Sequence, residues 1–399
     1  MAIELSNITF TDKDDIVPVS GIEEIFNTGI TNTLGGNDSI TGNATNSISG
    51  GTKGVYNTGT LNTDDGDDMI TGISTTSIAS YPGNDWGITN ERGTIETGEG
   101  NDIITGVGRG GGIIGLSGTI NTGDDNDTIM GISTIGTLNF RGIGIFTSNS
   151  INTGNGNDVI IGTVEGYYGN AIFNNSQSTI NTGDGNDIII GNSSRSSVGI
   201  RNDASASIDT GDGHDIITAN NTGPGIDNPD EAFRNSGDIT TGDGNDIITS
   251  TGAIYNQGFI NTGNGDDSII VDGGVEGTGT GYGIYNNGGN INTGDGNDSI
   301  IANEGFESGE NSSGAWFLGE GEDYIRGFGN GDFYGGNGND TLELTPGTYT
   351  VGIWGDGGES PIFTKGDQLM ITSEFERLRA GNTIYDFSTL TAGQIITVA

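Results

Sequence analysis

A ten-residue phrase that recurs ten times constrains this 399-residue chain more than any other feature. Its form is Ile-Asn-Thr-Gly-Asp-Gly-Asn-Asp-x-Ile, seen in full at residues 180–189. In every copy Thr stands five residues before the last Asp, and Ile stands two residues after it. A disordered acidic tract has no reason to keep apolar residues in register so strictly, so the phrase indicates a repeat protein. The ten Asp are Asp38, Asp68, Asp102, Asp127, Asp158, Asp187, Asp215, Asp246, Asp267 and Asp298.

A second phrase, of the form Ile-x-Asn, precedes each copy of the first. Its apolar column is Ile25, Val55, Ile88, Ile113, Ile145, Ile172, Ile200, Phe233, Ile254 and Ile284, and Asn follows two residues later in eight of the ten copies. Each copy therefore supplies three short apolar segments separated by Gly, Asn and Asp, which is typical of strands and turns. Helix-forming Ala, Leu, Glu and Lys are too scarce for an amphipathic helix.

The spacing of these segments predicts how the strands are arranged. Two of the three connections in a copy are nearly constant in length, and the third varies from 6 to 18 residues. Coils of this kind can stack their strands in parallel, about 4.8 Å apart. The sequence predicts an all-β fold, a right-handed parallel β-helix (β-solenoid) of about ten three-strand coils with terminal caps. We place the N-terminal cap at 1–20, the solenoid at 21–316, a further repeat segment at 317–344 and the C-terminal cap at 345–399.

The amino-acid composition excludes several classes of partner for such a chain. Asp and Glu total 54 against 12 Lys and Arg, and the formal net charge is −42. This charge excludes nucleic acid as a direct partner, because no basic surface could neutralise phosphates. No apolar run reaches the 18 residues of a membrane span, and the absence of Cys excludes disulfides and thiolate metal sites. What remains is a disordered chain or an acidic fold that needs a cation.

The turn Thr182-Gly183-Asp184-Gly185-Asn186-Asp187 fits the nonapeptide Gly-Gly-x-Gly-x-Asp-x-apolar-x, with Thr in the first place. A fuller copy starts at Gly335, and another runs from Gly319 through Asp323. Here the chain resembles the repeats-in-toxin (RTX, haemolysin-type) calcium-binding family. It departs from that family in carrying one such turn per coil, where family repeats usually have turns on both sides. The resemblance implies a calcium-binding solenoid, nonapeptide repeats at 317–344 and a type I secretion signal within 345–399.

Calcium chemistry explains the residues of this turn. The ion takes six to eight oxygen ligands from carboxylates and backbone carbonyls, and Gly permits the positive φ that turns carbonyls toward one point. We expect about nine or more Ca²⁺ ions, one between neighbouring turns. The alternative is a set of ordinary Gly-Asn-Asp turns that bind nothing. The predicted metal-site residues are the ten Asp above with Asp323, Asp340, Gly98, Gly100, Gly123, Gly154, Gly156, Gly183, Gly185, Gly211, Gly213, Gly242, Gly244, Gly263, Gly265, Gly294, Gly296, Gly336 and Gly338.

Several copies depart from the consensus turn. Leu34 and Gly35 replace Gly and an acid in the first copy, and Asp125 replaces the second Gly in the fourth. Such departures indicate weaker sites, and Asp125 puts the carbonyl geometry of the fourth turn in doubt. His214 replaces Asn before Asp215, and we interpret it as a tolerated outward substitution rather than a ligand or base.

The residues that alternate with the buried columns should point outward. One such column is Phe26, Tyr56, Thr89, Ile114, Phe146, Phe173, Arg201, Arg234, Tyr255 and Tyr285. Apolar residues or Thr also flank the Ile after each Asp, as with Ile103 and Thr105. Such stripes indicate either an interaction surface or a face that the inserted loops of the variable connection cover.

These features leave several functions open. Arg201 and Arg234, near Asp203, Asp230 and Glu231, form the one cation-and-acid cluster that could serve a polysaccharide lyase, but paired ions are the simpler interpretation, and we expect no enzyme. An ice-binding array is disfavoured because the Thr column should face inward. We expect a secreted protein that folds on calcium outside the cell and acts as a structural, surface or filament-forming protein. The alternative is a calcium-dependent protein that binds or cleaves polysaccharide. The partners would be calcium, the protein itself or a cell-surface polysaccharide.

Overall fold

The fold is almost entirely β-strand. A computed structural model describes residues 2–18, 23–44, 51–75, 85–135, 141–194, 197–222, 231–274, 282–309, 314–355 and 360–399. These residues form two compact units, Met1–Asp212 with Ile216–Asn228 and Gly213–Asp215 with Pro229–Ala399. Each unit contains three sheets, which we name sheet 1, sheet 2 and sheet 3 in the order in which the chain enters them within a coil. The predicted parallel β-solenoid is confirmed.

In the first unit the strands of each sheet pair in parallel with the equivalent strands of neighbouring coils. Sheet 1 contains Ala2–Glu4, Glu24–Asn27, Lys53–Asn57, Trp86–Glu91, Gly111–Leu116, Gly142–Thr147, Gly169–Asn174 and Val198–Asn202. Sheet 2 contains Ile30–Asn32, Thr60–Asn62, Thr94–Glu96, Thr119–Asn121, Ser150–Asn152, Thr179–Asn181 and Ser207–Asp209. Sheet 3 contains Ile16–Val17, Ser39–Ala44, Met69–Ser74, Ile103–Gly108, Thr128–Ser133, Val159–Val164, Ile188–Ser193 and Ile216–Asn221. A 3-10 helix, Leu5–Asn7, follows the first strand.

The second unit repeats the arrangement and then closes with antiparallel strands. Sheet 1 contains Glu231–Asn235, Ala253–Asn256, Ile284–Asn286 and Phe306–Ser308. Sheet 2 contains Asp238–Thr240, Phe259–Asn261, Asn290–Asn292, Ala315–Gly321 and Gly331–Gly338, extended by Gln368–Ser373, Ser360–Lys365, Gly347–Trp354 and Ile395–Val398. Sheet 3 contains Ile247–Ser250, Ser268–Val271, Ser299–Ala302, Tyr324–Arg326, Thr341–Leu344, Arg377–Ala380 and Thr383–Asp386. A 3-10 helix, Phe387–Thr389, lies in the closing segment.

The register places like residues on top of one another. In sheet 3, for example, Ile129 pairs with Ile160 of the next coil, and in sheet 2 Ile120 pairs with Ile151. These side chains are at most 2% exposed, so each coil buries its apolar residues against its neighbours. The strands of residues 317–344 pair in parallel with the preceding coil in the same way.

A close contact between sheets 1 and 3 was not foreseen from the sequence. Glycines of sheet 3 face glycines of sheet 1 so closely that a Cβ on Gly42 would lie 2.0 Å from the carbonyl oxygen of Gly54. A Cβ on Gly191 would likewise lie 2.2 Å from the carbonyl oxygen of Gly199. The backbones of the two sheets therefore touch along a row that we call the glycine seam. Only a residue without a side chain allows this approach.

The Asn column of sheet 1 forms buried amide ladders. Asn27 Nδ2 donates to Asn57 Oδ1 at 2.8 Å, and Asn57 Nδ2 donates to Asn90 Oδ1 at 2.9 Å. The second unit repeats the pattern through Asn235, Asn256 and Asn286. These side chains are fully buried, so each amide depends on the next coil to satisfy its hydrogen bonds.

Candidate metal centre

The connection between sheets 2 and 3 is a tight turn with two residues of positive φ. All seventeen predicted glycines adopt positive φ. Packing also requires Gly: a Cβ on Gly185, whose φ is +151°, would lie 1.5 Å from the carbonyl oxygen of Gly156 in the preceding turn. The doubtful copies keep the same backbone, because Leu34 (φ 71°) and Asp125 (φ 86°) also adopt positive φ. Both replacements therefore keep the positive φ of the consensus turn, and weaker calcium binding at these turns stays a prediction.

The last Asp of each turn belongs to a continuous hydrogen-bonded row within each unit, which we call the Asp ladder. The backbone N–H of each ladder Asp donates to Oδ1 of the ladder Asp in the following coil. In the first unit the pairs run from Asp38–Asp68 to Asp158–Asp187, at 2.7–2.8 Å. In the second unit they run from Asp215–Asp246 to Asp323–Asp340, at 2.8–2.9 Å. One carboxylate oxygen of each acceptor thus has a fixed structural role.

The second carboxylate oxygen, Oδ2, has no such role. It is buried without a hydrogen-bond partner in Asp38, Asp68, Asp102, Asp127, Asp158, Asp246, Asp267, Asp298, Asp323 and Asp340. Asp187 and Asp215 are equally buried. A buried carboxylate oxygen is costly unless it meets a donor or a cation. The same atom is left unsatisfied in coil after coil, which marks a row of positions suited to cations.

Burial dominates the electrostatics of the Asp ladder. It raises the pKa of Asp68, Asp158 and Asp246 to about 6. Burial also raises the pKa of Asp102 to about 7 and of Asp127 to about 8, with neighbouring ladder carboxylates adding to the rise. The ladder therefore resists carrying its full negative charge at neutral pH unless positive charge is supplied.

The Asp ladder extends beyond the predicted residues at both ends. Asp15 Oδ2 accepts the N–H of Thr11, and the N–H of Asp15 donates to Asp38 Oδ1 at 2.7 Å. At the other end Glu376 Oε2 accepts the N–H of Asp340 at 2.8 Å. Sequence reasoning missed both residues. The spacing acid-x-apolar, as in Asp15-Ile16-Val17 and Glu376-Arg377-Leu378, was the signal that could have found them.

The Thr column faces inward as predicted. Thr33, Thr63, Thr97 and their equivalents are at most 1% exposed. Thr97 Oγ1 donates to the carbonyl oxygen of Thr122 at 3.1 Å, and the contact recurs along the turns. This column therefore holds the turns together and presents no surface to ice or any other partner.

His214 lies at an exposed turn position, as expected. Its Nδ1 accepts the backbone N–H of Asn245 at 2.8 Å. In other turns the side-chain oxygen of Asn makes the same contact, as Asn126 does with the N–H of Asn157. His214 thus replaces the Asn acceptor.

The donor set suits calcium better than a metal held by side chains alone. No group of three or more His, Cys, Asp or Glu side chains that could hold a metal occurs among the described residues. The available donors are Oδ2 atoms of successive ladder Asp and backbone carbonyls of the turns, and a mixture of carboxylate and carbonyl oxygens is what calcium accepts. The residues present fit the ion.

Eight of the ten residues of the predicted outward column of sheet 1 are partly exposed. Thr89 and Ile114 are buried instead, at 2% and 9% exposure, so the prediction is wrong for these two. Arg201 binds Asp203 at 2.8 Å and lies 4.6 Å above the ring of Phe173. Arg234 lies 4.0 Å from Glu231 and 5.0 Å above the ring of Tyr255. The two Arg fall in separate compact units, and each has its own acid and aromatic neighbours. Asp230, and most of the inserted loops, lie outside the described residues.

Within the described part of the chain, no helix has the length and hydrophobicity that a bilayer crossing requires.

Comparisons with known proteins give one similar solved structure to report. It is described as the X-ray crystal structure of a hyperactive, Ca²⁺-dependent, β-helical antifreeze protein from an Antarctic bacterium. The two chains share 20% sequence identity with a TM-score of 0.35, over 73% of this chain and 84% of that one. No protein-family model and no curated protein match the chain. A similarity this low carries no inference, and membership of the RTX family stays a prediction.

Proposed function

We propose that this protein is a secreted calcium-binding β-solenoid that folds on calcium outside the cell and serves there as a structural or surface protein. The observation that carries the proposal is the row of buried Oδ2 atoms without hydrogen-bond partners in the Asp ladder. Ladder Asp in successive coils and turn carbonyls would hold the ions. Bound calcium supplies the positive charge that lets the buried carboxylates stay ionised.

The charge of the chain supports coupling between binding and folding. Two unit charges 4 Å apart repel by about 1 kcal/mol in water and by about 4 kcal/mol at an effective dielectric constant of 20. Without cations, a row of ionised ladder carboxylates within a chain of net charge −42 opposes the compact state. When ions fill the row, their binding free energy becomes folding free energy. Low calcium inside a cell and millimolar calcium outside it would then keep the chain unfolded before export and fold it afterwards.

Two features of the described residues support a structural or surface role. Regular stacked turns and half-exposed apolar side chains on sheet 3, such as Ile103 at 44% exposure and Ile247 at 37%, suit lateral contacts with further copies. Filament formation would follow from such contacts. We include no catalytic role in this proposal, because each Arg of the outward column is held by a neighbouring acid.

Calcium-dependent folding can be tested directly. Far-UV circular dichroism of the purified chain should show strong β-structure in 5 mM calcium and a disordered spectrum after calcium is removed, with magnesium failing to replace it. Isothermal titration should report about nine or more ions per chain. Equal β-content with and without calcium, in protein shown to be free of metal, would refute the mechanism.

A further inference from the structure

The outer face of sheet 1 in the first unit carries a cavity that is separate from the Asp ladder. Its volume is about 300 Å³, at the lower end of the range for small-molecule sites. Its lining includes Lys53, Trp86, Thr89, Glu91, Ile114 and Leu116. The cavity thus combines one large aromatic ring, two aliphatic side chains, a hydroxyl and two opposite charges.

Thr89 gives the cavity an unsatisfied polar group. Its neighbours in the outward column are Tyr56 of the preceding coil and Ile114 of the following one. Thr89 is only 2% exposed, and its Oγ1 has no hydrogen-bond partner. A buried hydroxyl without a partner is uncommon in folded proteins and calls for an explanation. Because rotation about χ1 exchanges the methyl and hydroxyl positions of Thr, a ligand in the cavity can satisfy this group.

The rim of the cavity is polar and already ordered. Glu91 Oε2 accepts the hydroxyl of Tyr56 at 2.7 Å. The Lys53 ammonium lies 4.0 Å from the centre of the same ring. Glu91 and Lys53 are therefore positioned by Tyr56, and each retains further capacity to accept or donate hydrogen bonds.

We propose that this cavity binds one neutral sugar unit. The C–H face of a pyranose ring would lie against Trp86, while its hydroxyls would bond to Thr89, Glu91 and Lys53. A hydroxyl both donates and accepts, so a sugar hydroxyl matches Thr89 without bringing a charge into contact with a neutral buried group. The net charge of −42 disfavours uronates and sulfated sugars, because the field of the whole protein repels them.

Calcium-saturated, folded full-length protein is the material for the test. The probes are the methyl glycosides of glucose, galactose, mannose and N-acetylglucosamine, with glucuronate as the anionic comparison. Binding is followed through the indole N–H resonance of Trp86, one of three Trp in the chain, assigned with the variant Trp86→Phe. We expect at least one neutral glycoside to shift this resonance saturably, and glucuronate to leave it unchanged.

The variant Thr89→Val separates binding from folding. It removes the hydroxyl and keeps the shape, and because Oγ1 makes no hydrogen bond in the protein, the unfolding midpoint should not fall. Affinity for the glycoside should fall about 3- to 10-fold, the effect of one lost hydrogen bond. Thr41→Val makes the same change on the outer face of sheet 3 and should leave affinity unchanged.

Two outcomes would overturn the sugar site. One is that no neutral glycoside shifts the Trp86 resonance, or that only glucuronate does. The other is that Thr89→Val binds as tightly as the unchanged protein. Either result leaves calcium-dependent folding untouched, because every measurement is made on protein that is already folded. Comparing free glycosides with a neutral oligosaccharide then shows whether the cavity takes a single sugar or the end of a chain.

Discussion

The backbone N–H of Asp127 donates to Oδ1 of Asp158 in the next coil at 2.8 Å, while Oδ2 of Asp158 is buried without a partner. The two oxygens of one carboxylate therefore have separate tasks. One oxygen joins coils through the backbone, and the other is left for a cation. Substitutions can separate these tasks.

Asp158→Asn should lower the number of bound calcium ions by one or two without breaking the hydrogen bond to Asp127. The amide oxygen still accepts the N–H, but the charge that calcium requires is gone. Isothermal titration with calcium measures the stoichiometry. Asp124→Asn, at an exposed turn position outside the Asp ladder, is the matched control and should keep the full number. An unchanged stoichiometry in Asp158→Asn would place the ions elsewhere.

Glu376 should hold the last turn of the Asp ladder. Glu376→Ala leaves the N–H of Asp340 without its acceptor, which should cost about 1–3 kcal/mol locally. Hydrogen exchange at Asp340 and the following strand should accelerate. Glu376→Gln retains an acceptor and should behave almost as the unchanged protein. Asp367→Ala, at an exposed position of the same cap, should have no effect, and equal exchange in all variants would argue against the contact.

Glycine should be essential at a crowded turn position and replaceable at an uncrowded one. In Gly185→Ala the new Cβ meets the carbonyl oxygen of Gly156 at 1.5 Å on a backbone with φ +151°. Strain of this kind costs about 1–3 kcal/mol before any clash is counted. In Gly35→Ala the nearest atom is 3.6 Å away and φ is not in the positive region, so stability should hardly change. Urea unfolding in saturating calcium compares them, and equal midpoints would contradict this packing.

The buried amide ladder should contribute to stability independently of calcium. Asn57→Ala removes the acceptor of Asn27 Nδ2 and the donor to Asn90 Oδ1. Each buried polar group left unpaired costs about 1–3 kcal/mol. Asn62→Ala, on the half-exposed side of sheet 2, should cost far less. Thermal unfolding in saturating calcium measures both, and a larger loss in Asn62→Ala would refute the ladder's role.

Metal-free protein should gain β-structure when the pH falls. Burial raises the pKa of Asp102 to about 7 and of Asp127 to about 8 in the folded state, whereas the unfolded value is about 3.9. The folded state therefore holds protons that the unfolded state has released, a contribution present in full below about pH 4 and lost as the pH rises through 7 and 8. The measurement is circular dichroism at pH 5 and pH 8 on protein freed of metal with a chelating resin, and the β-content should be higher at pH 5.

Calcium-saturated protein provides the comparison for that experiment. Protons compete with calcium for the same carboxylates, so acidification should weaken calcium binding. Metal-free protein that is more structured at pH 8 than at pH 5 would contradict the raised pKa values.

The coil and the Asp ladder could be predicted from the sequence because both arise from strict spacing. Asp187 and Ile189 recur at one separation in all copies, and such regularity fixes register, inward direction and neighbours. The burial of Thr182 followed from its distance to the inward Ile. These features depend only on the residues of one coil and on the repetition of that coil, and both can be read from a single sequence.

Other features depend on contacts that spacing does not reveal. Gly recurs two residues after the Ile of the first phrase in six of the ten copies, but this spacing does not show that Gly42 of sheet 3 meets the backbone of Gly54 in sheet 1. Glu376 lies in the C-terminal cap, where the repeat has stopped, and it is longer than Asp, so the repeat pattern did not include it. The cavity beside Thr89 is lined by side chains of three coils that differ from one coil to the next. A consensus repeat does not contain such differences.

The direction of the Asp ladder makes the two ends of the protein unequal. Within each unit, the ladder Asp donate through the backbone N–H toward the C-terminal side and accept through Oδ1 from the N-terminal side, as Asp158 does. Removing coils from the N-terminus leaves a carboxylate facing water, which solvates it readily. Removing coils from the C-terminus leaves the backbone N–H of the last ladder Asp without its acceptor. Loss of coils should therefore be tolerated better at the N-terminal end of such a row than at the C-terminal end, where the last N–H needs an acceptor.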